Sequence, residues 1–252
     1  MITRYKNLIL LGTSHIASQS IKEITQTVTS EKPTVIAVEL DQRRLYALLQ
    51  KKRPGFSFSF IRRIGVKGTL FALLGSWVQQ KMGRFVGVEP GADMLTAVKL
   101  AKSHNIKLAL IDQDIEITLQ NFSKALSWKE RFRFIGDLIR AVFFQKRELH
   151  RLGLENLDLR TVPSRQLIRR LTKELQDRYP NVYRVLIEER NQVMATKLHT
   201  LMDQFSEGII LAVVGAGHEE DLLARLDSHD TQTTYQFTLN LGNKSNPQIE
   251  KL

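Results

Sequence analysis

The chain has 252 residues, 42% hydrophobic and 25% charged, a balance that fits a soluble globular protein and excludes a low-complexity or collagen-like one. It contains no cysteine, which excludes disulfides, zinc ribbons and thiol chemistry and leaves any metal to His, Asp and Glu. The net charge of +11 is uneven: Arg43 to Lys173 holds 26 Lys+Arg against 10 Asp+Glu, or +16, leaving −5 for the rest.

The opening MITRYKNLIL has too short an apolar run, and no small-residue cleavage site, for a secretory signal. Asn7–Gly12 reads as a short buried strand ending at glycine, with His15 three residues further on. Ser18 to Ser30 then carries Ile21, Ile24 and Val28 at helical spacing. Pro33 ends that helix, and the β-branched run Thr34–Leu40 suits a second buried strand. A charged helix follows Asp41, its N-cap. Strand, helix, strand and helix in such close succession mark a parallel βαβ unit.

Residues 51–84 break the pattern with a basic segment rich in Phe and Gly, expected to form a helical hairpin or lid over the sheet. Its apolar block, Thr69–Val78, is about half of the ~20 residues that a membrane-spanning helix needs. Glu89 comes next, bounded by glycines, then a helix from Ala92 to His104 and a third strand, Lys107–Asp112, leading into the acidic run Asp112, Asp114 and Glu116. Ser127 to His199 is expected to be helical, divided by Pro163 and Pro180 into three helices. Phe132, Ile135, Ile139, Val142 and Phe143 share one helical face. Gly208–Gly217 is the fourth strand, His218 follows Gly215 by three residues, and Thr233–Leu239 alternates like an edge strand. The expected fold is α/β, a central and mainly parallel sheet of four to six strands flanked by helices, with a large basic helical insertion or lid. It is read as one domain over 1–252, with insertions at about 51–84 and 127–180.

In open α/β sheets functional groups gather at the carboxyl ends of the strands. His15, Glu39, Asp112, Asp114 and His218 all sit there, Glu89 enters before a helix, and Gly12 and Gly215 let the backbone turn and pack closely. Two histidines with carboxylates suit a divalent cation with an open position for water. Without a metal the same residues supply a general base and an acid partner. Against both stands the plainer role of a histidine that caps a helix or bonds a backbone carbonyl. Glu188–Arg190 reads as helical ion pairing, or as an arginine that orients a carboxylate or clamps a substrate oxygen. His104, His150, His199 and His229 read as structural or surface residues. GTSH and GAGH lack the lysine of a Walker loop, GAGHEE lacks the last glycine of GxGxxG, and without GxSxG Ser14 is no nucleophile elbow.

The run LILLGTSHIASQSIKEITQTVTSEKPTVIAVELDQRRLYALL resembles the opening of the TraB/PrgY family, with its GTAHVS-like motif and VELD-R segment. GVEPGADMLTAVKLAKSHNIKLALIDQDIEITL is similar to that family's glutamate-bearing helix and IDRDI-like strand. EERNQVMATKL and AVVGAGHEEDLL are similar to its ER-x-x-x-MA helix and closing GAGH motif. The resemblance implies a place in a wider group with the Tiki proteases, the erythromycin-esterase-like enzymes and the ChaN-like haem-binding proteins. Tiki proteins carry two GxxH motifs and act as Mn- or Co-dependent peptidases. PrgY-like members limit a secreted peptide pheromone by degrading or sequestering it. Carried over by motif, the family's site residues are His15, Glu39, Glu89, Arg190 and His218. The departures are Ser14 where Ala is usual, Gln113 in the IDRDI-like element, and Asn191 where Asp often follows the arginine. Many PrgY-like proteins continue into membrane helices, whereas this sequence stops at Leu252, which weighs against the expectation of a pheromone role at a membrane but not against that of the catalytic domain.

The leading expectation is a metal-dependent hydrolase, a peptidase, with Mn, Co or Zn held by His15, His218 and Glu39. Glu39, Glu89 and Arg190 would be its catalytic groups, with Asp112, Asp114, Glu189, Gly12 and Gly215 around the substrate or behind the ligands. One rival is a binding module that sequesters a peptide or haem without turnover. The other is association with a membrane surface or nucleic acid through the basic middle region. The expected partners are a peptide, an anionic membrane surface met by the basic helices, and a second copy of the chain; nucleic acid ranks last. The expected location is the cytoplasm, with contact at the membrane periphery.

Overall fold

The computed structural model describes residues 2–14, 18–50, 91–143 and 163–228, together with Arg62, Thr69 and Leu73. His15, Glu89, His150, His229, the expected edge strand at 233–239 and nearly all of the expected lid lie outside the described residues.

In chain order the elements are β1 (Ile2–Tyr5), β2 (Leu8–Thr13), α1 (Ser18–Glu31), β3 (Val35–Val38), α2 (Gln42–Gln50), α3 (Ala92–Ser103) and β4 (Lys107–Leu110). There follow α4 (Ile115–Ala125), α5 (Trp128–Phe143), α6 (Arg165–Arg178), α7 (Pro180–Tyr183), a π-helical turn (Arg184–Glu188), α8 (Glu189–Gln204), β5 (Ile210–Gly215) and a helix, α9, over 219–228. The five strands lie in the order β1-β2-β5-β3-β4. All neighbours are parallel except β1 and β2, which form an antiparallel hairpin. β5, the last described strand in sequence, is inserted between β2 and β3, so the carboxyl ends of these three strands stand side by side.

Alternation of side chains along each strand divides the core into two layers. Leu8 and Leu10 of β2, Val35 and Ala37 of β3, and Ile210, Ala212 and Val214 of β5 pack against Met194, Leu198 and Met202 of α8 and Leu222 and Leu226 of α9. Ile9 and Leu11, Ile36 and Val38, and Leu211 and Val213 face the other way, onto Ile24 and Val28 of α1 and Met94, Ala97 and Val98 of α3. The sheet is therefore covered on both faces, which explains why β2, β3 and β5 read as unbroken apolar runs. A smaller cluster of Phe122, Val182 and Val185 fixes α4 and α6 to the helix that leads into α8.

Several expectations change. β1 was not foreseen, because Ile2–Tyr5 alternates between exposed and half-buried positions and carries no apolar run. The acidic run after β4 opens another unforeseen helix: Asp114 caps α4 by accepting the Glu116 N–H at 2.7 Å, and Leu119 and Phe122 are buried on it. Phe132, placed on a shared apolar face of α5, is 69% exposed. Gly12 serves space rather than backbone turning: a Cβ there would lie 2.5 Å from Glu219 Oε2. No described helix is long and apolar enough to cross a membrane.

Candidate functional site

The carboxyl ends of β3 and β5 and the segment after β4 meet under the first turn of α8. Glu39 follows β3 directly, and its Oε2 accepts the N–H of Gly215, the last residue of β5, at 2.5 Å. Asp112 stands two residues beyond β4 and has no exposed side-chain surface. Arg190 reaches down from α8 and holds Asp112 with two parallel bonds, Nε to Oδ1 at 3.0 Å and Nη2 to Oδ2 at 2.7 Å. The same Nη2 pairs with Glu39 Oε1. Its Nη1 donates to the Leu186 carbonyl at 3.1 Å and lies 3.3 Å from His218 Nε2. Leu186 belongs to the π turn, a local widening of the helix that recurs near functional groups.

His218 ends a tight turn in which its N–H donates to the Gly215 carbonyl at 2.9 Å. Its Nε2 is 3.4 Å from Glu39 Oε1, and its Nδ1 is 2.6 Å from Asn191 Oδ1. A second arginine completes the cluster. Arg44, in the first turn of α2, pairs with Asp112 and donates to Asp41 Oδ2 at 2.6 Å, while Asp41 Oδ1 accepts the N–H groups of Arg43 and Arg44 as the cap of α2. Burial pushes the Asp112 carboxyl up, but the Arg190 and Arg44 guanidiniums outweigh it and hold the group below the ordinary carboxylate range. Burial alone would lower Arg190, yet Glu39 and Asp112 raise it further, so its charge is permanent.

The structure thus brings together Glu39, Asp112, Arg190, His218 and Gly215. Gly12 lies at the neighbouring strand end, where the Glu219 carboxylate presses against it. Asp114 is elsewhere, capping α4 and 3.7 Å from Arg43, and Glu189 turns toward α4, accepting from Asn121 at 2.7 Å. His104 ends α3 and His199 pairs with Asp203 at 3.2 Å, both away from the cluster. Sequence reasoning did not assign Arg44, Asp41 or Asn191 to the site. Their one signal was adjacency to assigned residues, in VELDQRR and EERN.

His218 and Glu39 have the donor chemistry of a divalent-cation site, with an imidazole nitrogen and a carboxylate oxygen adjacent to each other. Arg190 already engages both of these atoms, so a cation could enter only as the guanidinium withdrew. Among the described residues no group of three or more His, Asp or Glu forms a metal site, and His15, the third expected ligand, is not among them. Beside the cluster a cleft of about 580 Å³ opens between α6 and the start of α9, lined by Ile168, Lys173, Tyr183, Ile187, Asp221 and Leu223, among others. Ion pairs of Arg165 with Glu219 at 2.8 Å and Arg169 with Glu220 at 2.6 Å span it.

The model of the TraB/PrgY/gumN family matches residues 2–233. An uncharacterized protein of Methanocaldococcus jannaschii is 29% identical over 225 residues, which cover 87% of this chain and 53% of the relative. Human and bovine proteins, each named TraB domain-containing protein, are 22% identical over 233 residues, covering 83% of this chain and 60% and 59% of theirs. The chain therefore spans between half and three-fifths of the length of these relatives.

Proposed function

We propose, from the premise that the chain belongs to the TraB/PrgY/gumN family, that the cluster under α8 is a hydrolytic site acting on peptides. One observation carries this reading: Glu39, Asp112, Arg190 and His218 come from four separate segments and converge, buried, at the carboxyl edge of a parallel sheet. Asp112 and Glu39 fix the guanidinium of Arg190, leaving its Nη1 as the donor turned toward the histidine. That donor suits an oxyanion developing beside Nε2. With Nη1 turned to that oxyanion, His218 Nε2 takes up the proton of the attacking water and returns it to the leaving amine, and Glu39 steadies the charge on the ring in between. A divalent cation (Mn, Co or Zn) held instead by His218, Glu39 and His15 would take Nε2 as a ligand rather than as the base, displace the guanidinium, and supply a polarised water.

A second reading, sequestration of a peptide or haem without turnover, is favoured by the state of Glu39. Both of its oxygens are engaged, Oε1 by Arg190 and Oε2 by the Gly215 N–H. The test is elemental analysis of the chain purified without chelator, with cleavage assays over a peptide library in each metal. Turnover that is lost in EDTA and in His218→Ala supports hydrolysis. Peptide or haem binding that ignores EDTA, with no turnover, supports the second reading. Binding only to anionic vesicles, steeply salt-dependent and unchanged in His218→Ala, overturns both.

A further inference from the structure

We propose that Asn191 is a positioning residue that locks the His218 ring in the tautomer protonated at Nδ1 and turns an unprotonated Nε2 toward Arg190 and Glu39. The inference rests on His218 acting at the site proposed above, but it concerns the ring itself and is read out without substrate.

Asn191 is completely buried, and its amide lies between two partners of opposite need. On one side Nδ2 is 2.6 Å from Asp221 Oδ2. A carboxylate only accepts, so the NH₂ end of the amide must face Asp221. Arg225 secures that polarity by donating its Nε to the same Oδ2 at 2.8 Å and its Nη1 to Gln192 Oε1 at 2.8 Å. With the NH₂ end committed, the carbonyl Oδ1 faces the ring, 2.6 Å from Nδ1. A carbonyl accepts only, and Nδ1 must therefore carry the proton. The far side of the ring gives the same answer independently. Arg190 Nη1 is 3.3 Å from Nε2, and a guanidinium has only donors, so Nε2 must present its lone pair. Two donor–acceptor chains, one from Arg225 through Asp221 and Asn191, one from Arg190, agree on a single ring state.

The alternative tautomer has an evident partner. A proton on Nε2 would point at Glu39 Oε1, 3.4 Å away, at the cost of the contact with Arg190. Asn191 and Arg190 oppose that state, and the ring nitrogen able to take a proton or ligate a cation is accordingly Nε2. The far end of the chain, Asp221, also lines the cleft between α6 and α9, which places the orienting carboxylate where a bound ligand reaches it.

The experiment is long-range ¹H–¹⁵N correlation NMR of the full chain with ¹⁵N-labelled histidine, at about pH 8, above the ordinary histidine range of about 6.5. His218→Gln assigns the resonances. Wild type is expected to show a protonated Nδ1 and an unprotonated Nε2. Asn191→Ala is expected to lower the ratio of Nδ1–H to Nε2–H by about tenfold, the effect of losing one buried hydrogen bond. The exchange Asn191→Asp with Asp221→Asn, made together with Arg225→Ala so that no second donor faces the new amide, keeps an acceptor toward the ring and a donor behind it, and is expected to restore the wild-type ratio. Should Asn191→Ala not fold, Asp221→Ala alone serves: it removes the acceptor that fixes the amide, and a mixture of both tautomers is expected. A wild-type ring protonated at Nε2 overturns the proposal, as does an unchanged ratio in Asn191→Ala or, in its place, Asp221→Ala. A protein with the expected ratio that cleaves no peptide overturns the proposed function and leaves the role of Asn191 standing.

Discussion

Replacing Arg190 by methionine removes the charge around which the carboxyl edge of the sheet is assembled. The two carboxylates it meets, Glu39 and Asp112, are 4% and 0% exposed at the side chain, so neither can turn to water when the guanidinium is gone. Arg44 still faces Asp112, whereas Glu39 keeps the Gly215 N–H and its place beside His218 but loses the guanidinium bound to its Oε1. Removing one member of a buried ion pair costs about 3–5 kcal/mol, and we expect a loss of that size in urea unfolding followed by circular dichroism, with an unchanged m. Acid supplies a second reading of the same contact. In the folded chain Asp112 lies below its ordinary range: burial raises it, and Arg190 and Arg44 together lower it more. A carboxyl depressed in this way stabilises fully above its unfolded value of about 3.9 and loses that contribution as pH falls through the lower folded value. The stability gap between wild type and Arg190→Met should therefore narrow below about pH 4. Glu39→Gln added to Arg190→Met should recover part of the loss, because a neutral amide is cheaper to bury than a carboxylate that has lost its guanidinium. A loss under about 1 kcal/mol, the range of exposed pairs, or a gap that does not change with pH, refutes the account of a buried, mutually dependent cluster.

Three further outcomes follow from contacts elsewhere. Gly12→Ala puts a Cβ 2.5 Å from Glu219 Oε2 and 3.3 Å from the Ala216 backbone, and should cost about 1–3 kcal/mol in denaturant. In a Glu219→Ala background the same change should cost less than half as much; an equal cost would place the clash elsewhere. Tyr179 is pushed up to about 12, by burial first and by its hydrogen bond to Asp137 at 2.6 Å second. Its contribution to stability is thus present below the unfolded value of about 10 and lost as pH rises through the folded one, and Tyr179→Phe should delete the late component of the phenolate absorbance titration. Asn7→Ala removes a side-chain amide that donates to the carbonyls of Met202, Phe205 and Gly208, at 3.3, 2.9 and 3.3 Å, where α8 ends. A loss of about 1–3 kcal/mol with faster amide exchange at 205–208 is expected; unchanged exchange there would show that the end of α8 holds without it.

Much of the fold is legible because burial on both faces of a parallel sheet writes itself as continuous apolar runs. β2, β3 and β5 announce themselves in this way, and their carboxyl ends identify Glu39 and His218. β1 and α4 do not. β1 is an edge strand with one half-buried face, and α4 begins in acidic residues that look like a loop until Asp114 is seen to cap them. Site membership follows the same division. Glu39, Asp112 and His218 gain theirs from position just past the carboxyl end of a strand. Asp114 and Glu189 look equivalent in sequence and are separated only by which helix lies over them. Arg44 carries no sequence signal of its own, and Asn191 stands out only as a departure from the resembled motif, for the complementary reason: each depends on an element folding back over the strand ends, which no local periodicity encodes.

That folding back explains why two adjacent helical residues serve one imidazole. Consecutive residues on an α-helix point about 100° apart, so they cannot share a contact on a flat surface. They can grip the two ends of a ring that lies across the helix. Arg190 meets Nε2 and Asn191 meets Nδ1, and the strand-end turn from Gly215 delivers the ring between them. The grip depends on the rotation of α8 about its axis, and the π turn immediately before it, with its Leu186 carbonyl holding Arg190, sets that rotation. The spacing of glycine and histidine alone therefore describes half of the arrangement. The other half is the phase of a helix.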